Sequence, residues 1–137
     1  MHNLLMKNPQ RAHILIVEDD LDTRESMIDL LQQEGYSVTG AADGGSALAY
    51  LRSCPRSPNL ILLDLHMPGM DGFDFRRTQL SDPKHAAVPV AIVSASPPTP
   101  PNMQALRPVA YIVKPVNVRS LRSHIRGVLR PTNREAD

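Results

Sequence analysis

The sequence predicts an α/β domain, a parallel sheet with helices on both faces, and three observations support it. Short continuous apolar runs recur along the chain, HILIVE, LILL and VPVAIV among them, and such runs suit strands buried on both faces. Between them lie segments whose apolar residues return at helical spacing. Strands alternating with helices imply parallel pairing through crossovers. At 137 residues the chain can build one hydrophobic core but not two.

The elements follow in order. His13 to Glu18 is the first strand. Asp22 to Glu34 reads as a helix: Asp22 with Glu25 resembles a capping box, Met27, Leu30 and Leu31 share a face, and Gly35 is a natural stop. Tyr36 to Thr39 is the second strand. Ser46 to Arg52, with Ala47, Leu48 and Leu51 on one side, is the second helix and ends near Pro55 and Pro58. Leu60 to Leu63, Val88 to Val93 and Tyr111 to Val113 supply three further strands, and Phe73 to Leu80 the third helix. The last helix, Asn117 to Arg130, carries Val118, Leu121, Ile125, Val128 and Leu129 at helical spacing.

Between Ser94 and Lys114 the pattern breaks. Prolines stand at 97, 98, 100, 101 and 108, and a proline inside a helix costs about 3 kcal/mol. No helix is expected through 97 to 101, which should be extended and polyproline-like, and Asn102 to Leu106 has room for about one turn.

Composition excludes several classes of function. Fifteen Lys plus Arg against 14 Asp plus Glu give a net charge of +1, so no whole-chain field favours nucleic acid or membrane. Cys54 stands alone, which excludes an internal disulfide and is compatible with a reducing cytosol. MHNLLMKNPQ lacks the apolar core of a signal peptide, and no apolar stretch reaches membrane-spanning length. A cytoplasmic domain is expected.

In an open parallel sheet the crevice at the carboxyl ends of the strands is where ligands bind. The residues at those ends are Glu18 and Asp19, Asp64, Ser94 and Lys114. The run LILLDLHMPGMDG stops on Asp64, a poor strand residue that suffers a desolvation penalty beside a packed core unless something pairs with it. Three close carboxylates either raise a pKa or gather a cation, and an all-oxygen set with few ligands suits Mg²⁺. Lys114 suits a phosphate or Asp64 itself, Ser94 can donate to an anionic oxygen, and a carboxylate can be a nucleophile that forms an aspartyl phosphate. Phosphoryl transfer to Asp64 is the chemistry these residues imply.

The acid pair in ILIVEDD, the acceptor in LLDLHMPGMDG, the small hydroxyl in VSAS and the Lys-Pro in YIVKP stand in the order found in receiver domains of the bacterial two-component response regulators. The chain resembles that family from about residue 12 to 130, with 1–11 as an extension and 131–137 as a tail. The resemblance implies a flavodoxin-like sheet of five parallel strands in order 2-1-3-4-5, here with a shortened or missing fourth helix. It implies Asp64 as phosphoacceptor, and Mg²⁺ on Asp19, Asp64 and the backbone carbonyl of His66, with Glu18 acting through water. It also implies Ser94 and Lys114 on the phosphoryl oxygens, Tyr111 as the residue whose rotamer reports phosphorylation, and a cis Lys114–Pro115 bond. The implied partners are a sensor histidine kinase or histidine phosphotransfer protein and a downstream protein, without direct contact to nucleic acid or membrane. Such a domain is a phosphoacceptor rather than an enzyme with its own turnover.

Two rivals fit less well. An aspartate-nucleophile phosphohydrolase would need a second acid two residues after Asp64, where His66 stands, and a pseudo-receiver would lack an acid, the hydroxyl or the lysine. The residues after Arg130, PTNREAD, are too few for an output domain, so a stand-alone receiver is expected ahead of a piece of a hybrid kinase. Arg119, Arg122, Arg126 and Arg130 form a basic stripe on the last helix, read first as a solvated face and second as a docking surface for an acidic partner.

Overall fold

A computed structural model describes residues 11–129. Five strands, β1 (His13–Val17), β2 (Ser37–Ala41), β3 (Leu60–Leu63), β4 (Val90–Ser94) and β5 (Ala110–Val113), form one parallel sheet in the order β2-β1-β3-β4-β5. Five helices cover it: α1 (Leu21–Gln33), α2 (Gly44–Ser53), α3 (Gly72–Leu80), α4 (Pro100–Leu106) and α5 (Val118–Leu129). This is the doubly wound arrangement expected, with the short fourth helix.

Successive strand residues point to opposite faces, so each inner strand feeds two cores. Leu15 and Val17 of β1 pack with Ala47, Leu51, Phe75 and Leu106, which places α2, α3 and α4 on one face. Ile14 and Ile16 pack with Met27, Leu31, Leu121 and Ile125, which places α1 and α5 on the other. All four residues of β3 are buried, as a strand covered on both sides requires.

The boundaries differ from the sequence reading where a cap was misjudged. Helix α1 is capped by Asp20, whose carboxylate accepts from the Thr23 backbone N–H at 2.9 Å, and not by Asp22. Asp43 caps α2 through Ser46 N–H at 2.7 Å, so that helix starts at Gly44 instead of Ser46. Asp71 caps α3 in the same way. An acid placed before the first turn serves the free N–H groups better than one inside it.

The proline segment is the larger correction. Helix α4 begins at Pro100 rather than Asn102, with Thr99 as its cap and prolines at the first two positions. Those positions have no intrahelical N–H bond to lose, so the penalty for an interior proline does not arise. Of residues 97 to 101, Pro97, Pro98 and Thr99 lie outside helix and strand. The Lys114–Pro115 bond is cis, as the resemblance implied. The expectations for the first ten residues, for Arg130 and for the tail lie outside the described residues.

Candidate functional site

Glu18, Asp64 and Lys114 sit where sheet hydrogen bonding is carried just past the strand end, and Ser94 is the last residue of β4. Glu18 N–H donates to the Ala41 carbonyl at 3.0 Å, Asp64 N–H to Val17 at 3.0 Å, and Lys114 N–H to Ser94 at 2.8 Å. These bonds fix the backbone from which the side chains project. Glu18, Asp64 and Ser94 are buried, at 1%, 4% and 0% exposure, while Asp19 faces solvent.

Behind Asp64 the turn is closed by Gly69, at φ +76°, and by Gly72, whose N–H donates to the Leu65 carbonyl at 3.0 Å. A Cβ at Gly72 would stand 2.7 Å from the Asp64 carbonyl oxygen and 2.7 Å from Leu65 Cα. Only glycine lets α3 start this close to the acid.

Carboxylate oxygens of Glu18, Asp19 and Asp64 lie within 4.8 Å of one another. Lys114 Nζ approaches Glu18 Oε1 at 2.8 Å and Asp64 Oδ2 at 3.3 Å. Glu18 Oε2 accepts from Asp20 N–H at 3.1 Å, and the Glu18 carbonyl accepts from Arg24 Nη1 at 2.8 Å. Burial pushes the Glu18 carboxyl above its ordinary range and the Asp64 charge adds to this, against the opposing pull of Lys114 and Asp20 N–H. Burial also disfavours the Lys114 ammonium, but its bonds to Glu18 and the charge of Asp64 outweigh that and raise its pKa.

The donor set fits a hard divalent cation. Among these four groups, three carboxylates face one ammonium, and the buried Glu18 Oε1 meets Lys114 as an ion pair without a well-directed hydrogen bond. Oxygen ligands with spare negative charge are what Mg²⁺ binds.

A second layer of contacts crosses the mouth of the site. Ser94 Oγ accepts from Ser96 N–H at 3.1 Å, the Ser96 carbonyl accepts from Tyr111 OH at 2.7 Å, and Ser96 Oγ pairs with His66 Nε2 at 3.0 Å. His66 N–H donates to Asp64 Oδ1 at 3.1 Å. Sequence reasoning brought Glu18, Asp19, Asp64, Ser94, Lys114 and Tyr111 together, and the structure gathers all six. It missed Ser96, which joins Ser94, His66 and Tyr111. The spacing in VSAS, two residues on from Ser94, was the available signal. It assigned His66 a part through its backbone carbonyl, and did not foresee that the imidazole pairs with Ser96.

Fold and strand-end acids together define the class of α/β signalling receivers. Residues 14–126 match the model of the response regulator receiver domain, and the chain belongs to that family. It is 36% identical over 128 residues to the alkaline phosphatase synthesis transcriptional regulatory protein SphR of Synechococcus elongatus, an alignment covering 87% of this chain and 49% of SphR. The chain thus spans about half the length of that relative. The chemotaxis response regulator CheY4 of Vibrio cholerae superposes with a TM-score of 0.80 at 28% identity, over 87% of this chain and 99% of CheY4. The response regulator TrrA of Thermotoga maritima, solved in complex with Mg²⁺-BeF, gives a TM-score of 0.75 at 26% identity, over 86% and 99% of the two chains.

Proposed function

We propose that the chain accepts a phosphoryl group on Asp64 from a phosphohistidine donor, a histidine kinase or histidine phosphotransfer protein, and signals by changing a docking surface. The observation that carries this reading is a buried Asp64 set among two further carboxylates, with the Lys114 ammonium 3.3 Å from its Oδ2. Asp64 is the nucleophile: a carboxylate oxygen forms the new O–P bond as the P–N bond breaks, and the imidazole of the donor leaves and takes up a proton. Asp19, Asp64 and the His66 carbonyl would hold Mg²⁺ directly, with Glu18 acting through water, and the ion would neutralise charge on the transferring group. TrrA, a relative solved with Mg²⁺-BeF, supports the same ligand chemistry here.

Lys114 and Ser94 hold the phosphoryl oxygens. Lys114 already spans Glu18 and Asp64, so a small shift brings it onto the incoming group. Ser94 Oγ accepts from Ser96 N–H at rest, and its own hydroxyl hydrogen can turn toward a phosphoryl oxygen. That movement pulls on Ser96, and through its carbonyl on Tyr111 OH. The altered surface would then be read by a partner at α4, β5 and α5. The chain acts as a phosphoacceptor and not as an enzyme with its own substrate turnover.

Incubation with acetyl phosphate and Mg²⁺ tests the reading. One phosphoryl group per chain, labile to hydroxylamine and absent in excess EDTA, is the expected result. Labelling that persists in EDTA would contradict it.

A further inference from the structure

A cleft of about 400 Å³ lies between α3 and α4, with Arg76, Arg77 and Arg107 around an apolar floor that includes Phe73 and Leu106. Arg76 is only 6% exposed. Its guanidinium donates to the Leu106 carbonyl at 2.9 Å, the Arg107 carbonyl at 3.2 Å and Gln79 Oε1 at 2.8 Å. Those bonds use three of its five N–H groups, and two stay free. No carboxylate is among its partners. Burial lowers its pKa and the nearby like charge of Arg107 lowers it further.

A buried cation without a counter-ion is costly, and this one lines an open cleft beside a second cation. Arg77 is partly neutralised by Asp74 at 2.9 Å, so the cations here without a carboxylate partner are Arg76, which is met only by the carbonyl end of α4 and Gln79, and Arg107. On α5 the situation differs, because Arg122 and Arg126 share Glu34 at 2.8 and 2.9 Å. Arg107 is also the one non-glycine with positive φ among the described residues, at +48°. That residue is the left-handed C-cap of α4, its N–H bonded to the Met103 carbonyl at 2.9 Å, a common way for a helix to end.

We propose that the cleft binds a compact oxyanion, a phosphate or a dicarboxylate, between the guanidinium groups of Arg76 and Arg107. Planar guanidinium forks match either anion with paired N–H bonds. The site is separate from the strand-end acids, and its occupancy does not depend on Asp64 being phosphorylated.

The test is an NMR titration of the full chain in Mg²⁺-free buffer that holds no carboxylate or phosphate of its own, with inorganic phosphate in one arm and malonate in the other, each against sodium chloride at matched ionic strength. Saturable shifts at Arg76, Arg77 and Arg107, with Lys114 unmoved, are expected in at least one arm. A response to phosphate alone assigns a phosphate ligand, and a response to malonate assigns a carboxylate one. Arg107→Gly accommodates the positive φ while removing the guanidinium, and should weaken the apparent affinity about tenfold. Arg107→Asn, which also tolerates this backbone, should do the same. No saturable shift in either arm, or equal binding by wild type and both variants, would overturn the proposal.

Discussion

Lys114 Nζ stands closer to Glu18 than to the proposed acceptor: 2.8 Å from Glu18 Oε1 against 3.3 Å from Asp64 Oδ2. The lysine therefore serves first as counter-ion to a glutamate that is 1% exposed. Lys114→Met strands that charge and should destabilise the Mg²⁺-free protein by about 1–3 kcal/mol, toward the low side because the ammonium is itself 23% exposed. Added Mg²⁺ should then raise the melting temperature of the variant more than that of wild type. Equal Mg²⁺ responses would place the ion elsewhere.

Asp19 contributes charge without burial, so it repels Glu18 and Asp64 while stabilising nothing visible in the fold. Asp19→Ala should keep or raise the melting temperature without metal and abolish the rise on adding Mg²⁺. Lower metal-free stability with unchanged Mg²⁺ affinity would make Asp19 a structural residue.

Two glycines separate site geometry from general stability. Gly72→Ala forces a methyl within 2.7 Å of the Asp64 carbonyl, and should cost about 1–3 kcal/mol while slowing phosphorylation. Gly127→Ala, in α5 with nothing within 4 Å, should gain about 0.5–1 kcal/mol and leave phosphorylation alone. Chemical denaturation with parallel acetyl phosphate assays reads both.

At the opposite end of the sheet, His13 is hydrogen-bonded to Ser37 Oγ at 2.8 Å, Thr39 Oγ1 at 3.0 Å and Tyr50 OH at 2.9 Å. Burial lowers its pKa from the ordinary 6.5. The unfolded chain then takes up this proton first as pH falls. Stability from His13 is thus intact above 6.5 and declines as pH drops below 6.5 toward the lowered folded value. Denaturation midpoints of wild type and His13→Gln between pH 7.5 and 5, roughly the window set by this shift, should show the steeper acid loss in wild type. Parallel curves would assign the acid sensitivity to another group.

Much of this was legible from the chain because two signals were local. Continuous apolar runs such as LILL mark strands buried on both faces, and the residues where those runs stop name the candidate site, so Glu18, Asp64, Ser94 and Lys114 can be read from the sequence. What could not be read depends on contacts made across the fold. Asp20 rather than Asp22 caps α1 because Asp20 itself holds the extended backbone of a cap just before the first turn, which spacing alone does not show. Pro100 and Pro101 read as helix breakers, yet stand where a helix has no N–H bond to lose. VSAS shows Ser96 two residues on from Ser94, but its partners His66 and Tyr111 reach it only through folding. The burial of Arg76 without a carboxylate partner likewise emerges only once α3 is packed against α4.

On the proposed mechanism Asp64 itself carries the phosphoryl group. Borohydride reduces an aspartyl phosphate to homoserine, so protein treated with acetyl phosphate and Mg²⁺, then reduced and mapped by peptide mass spectrometry, reports the site directly. Homoserine at position 64 alone, dependent on Mg²⁺ and absent in Asp64→Asn, is the expected result. Homoserine at Asp19 or Asp20, or undiminished labelling of Asp64→Asn, would contradict it.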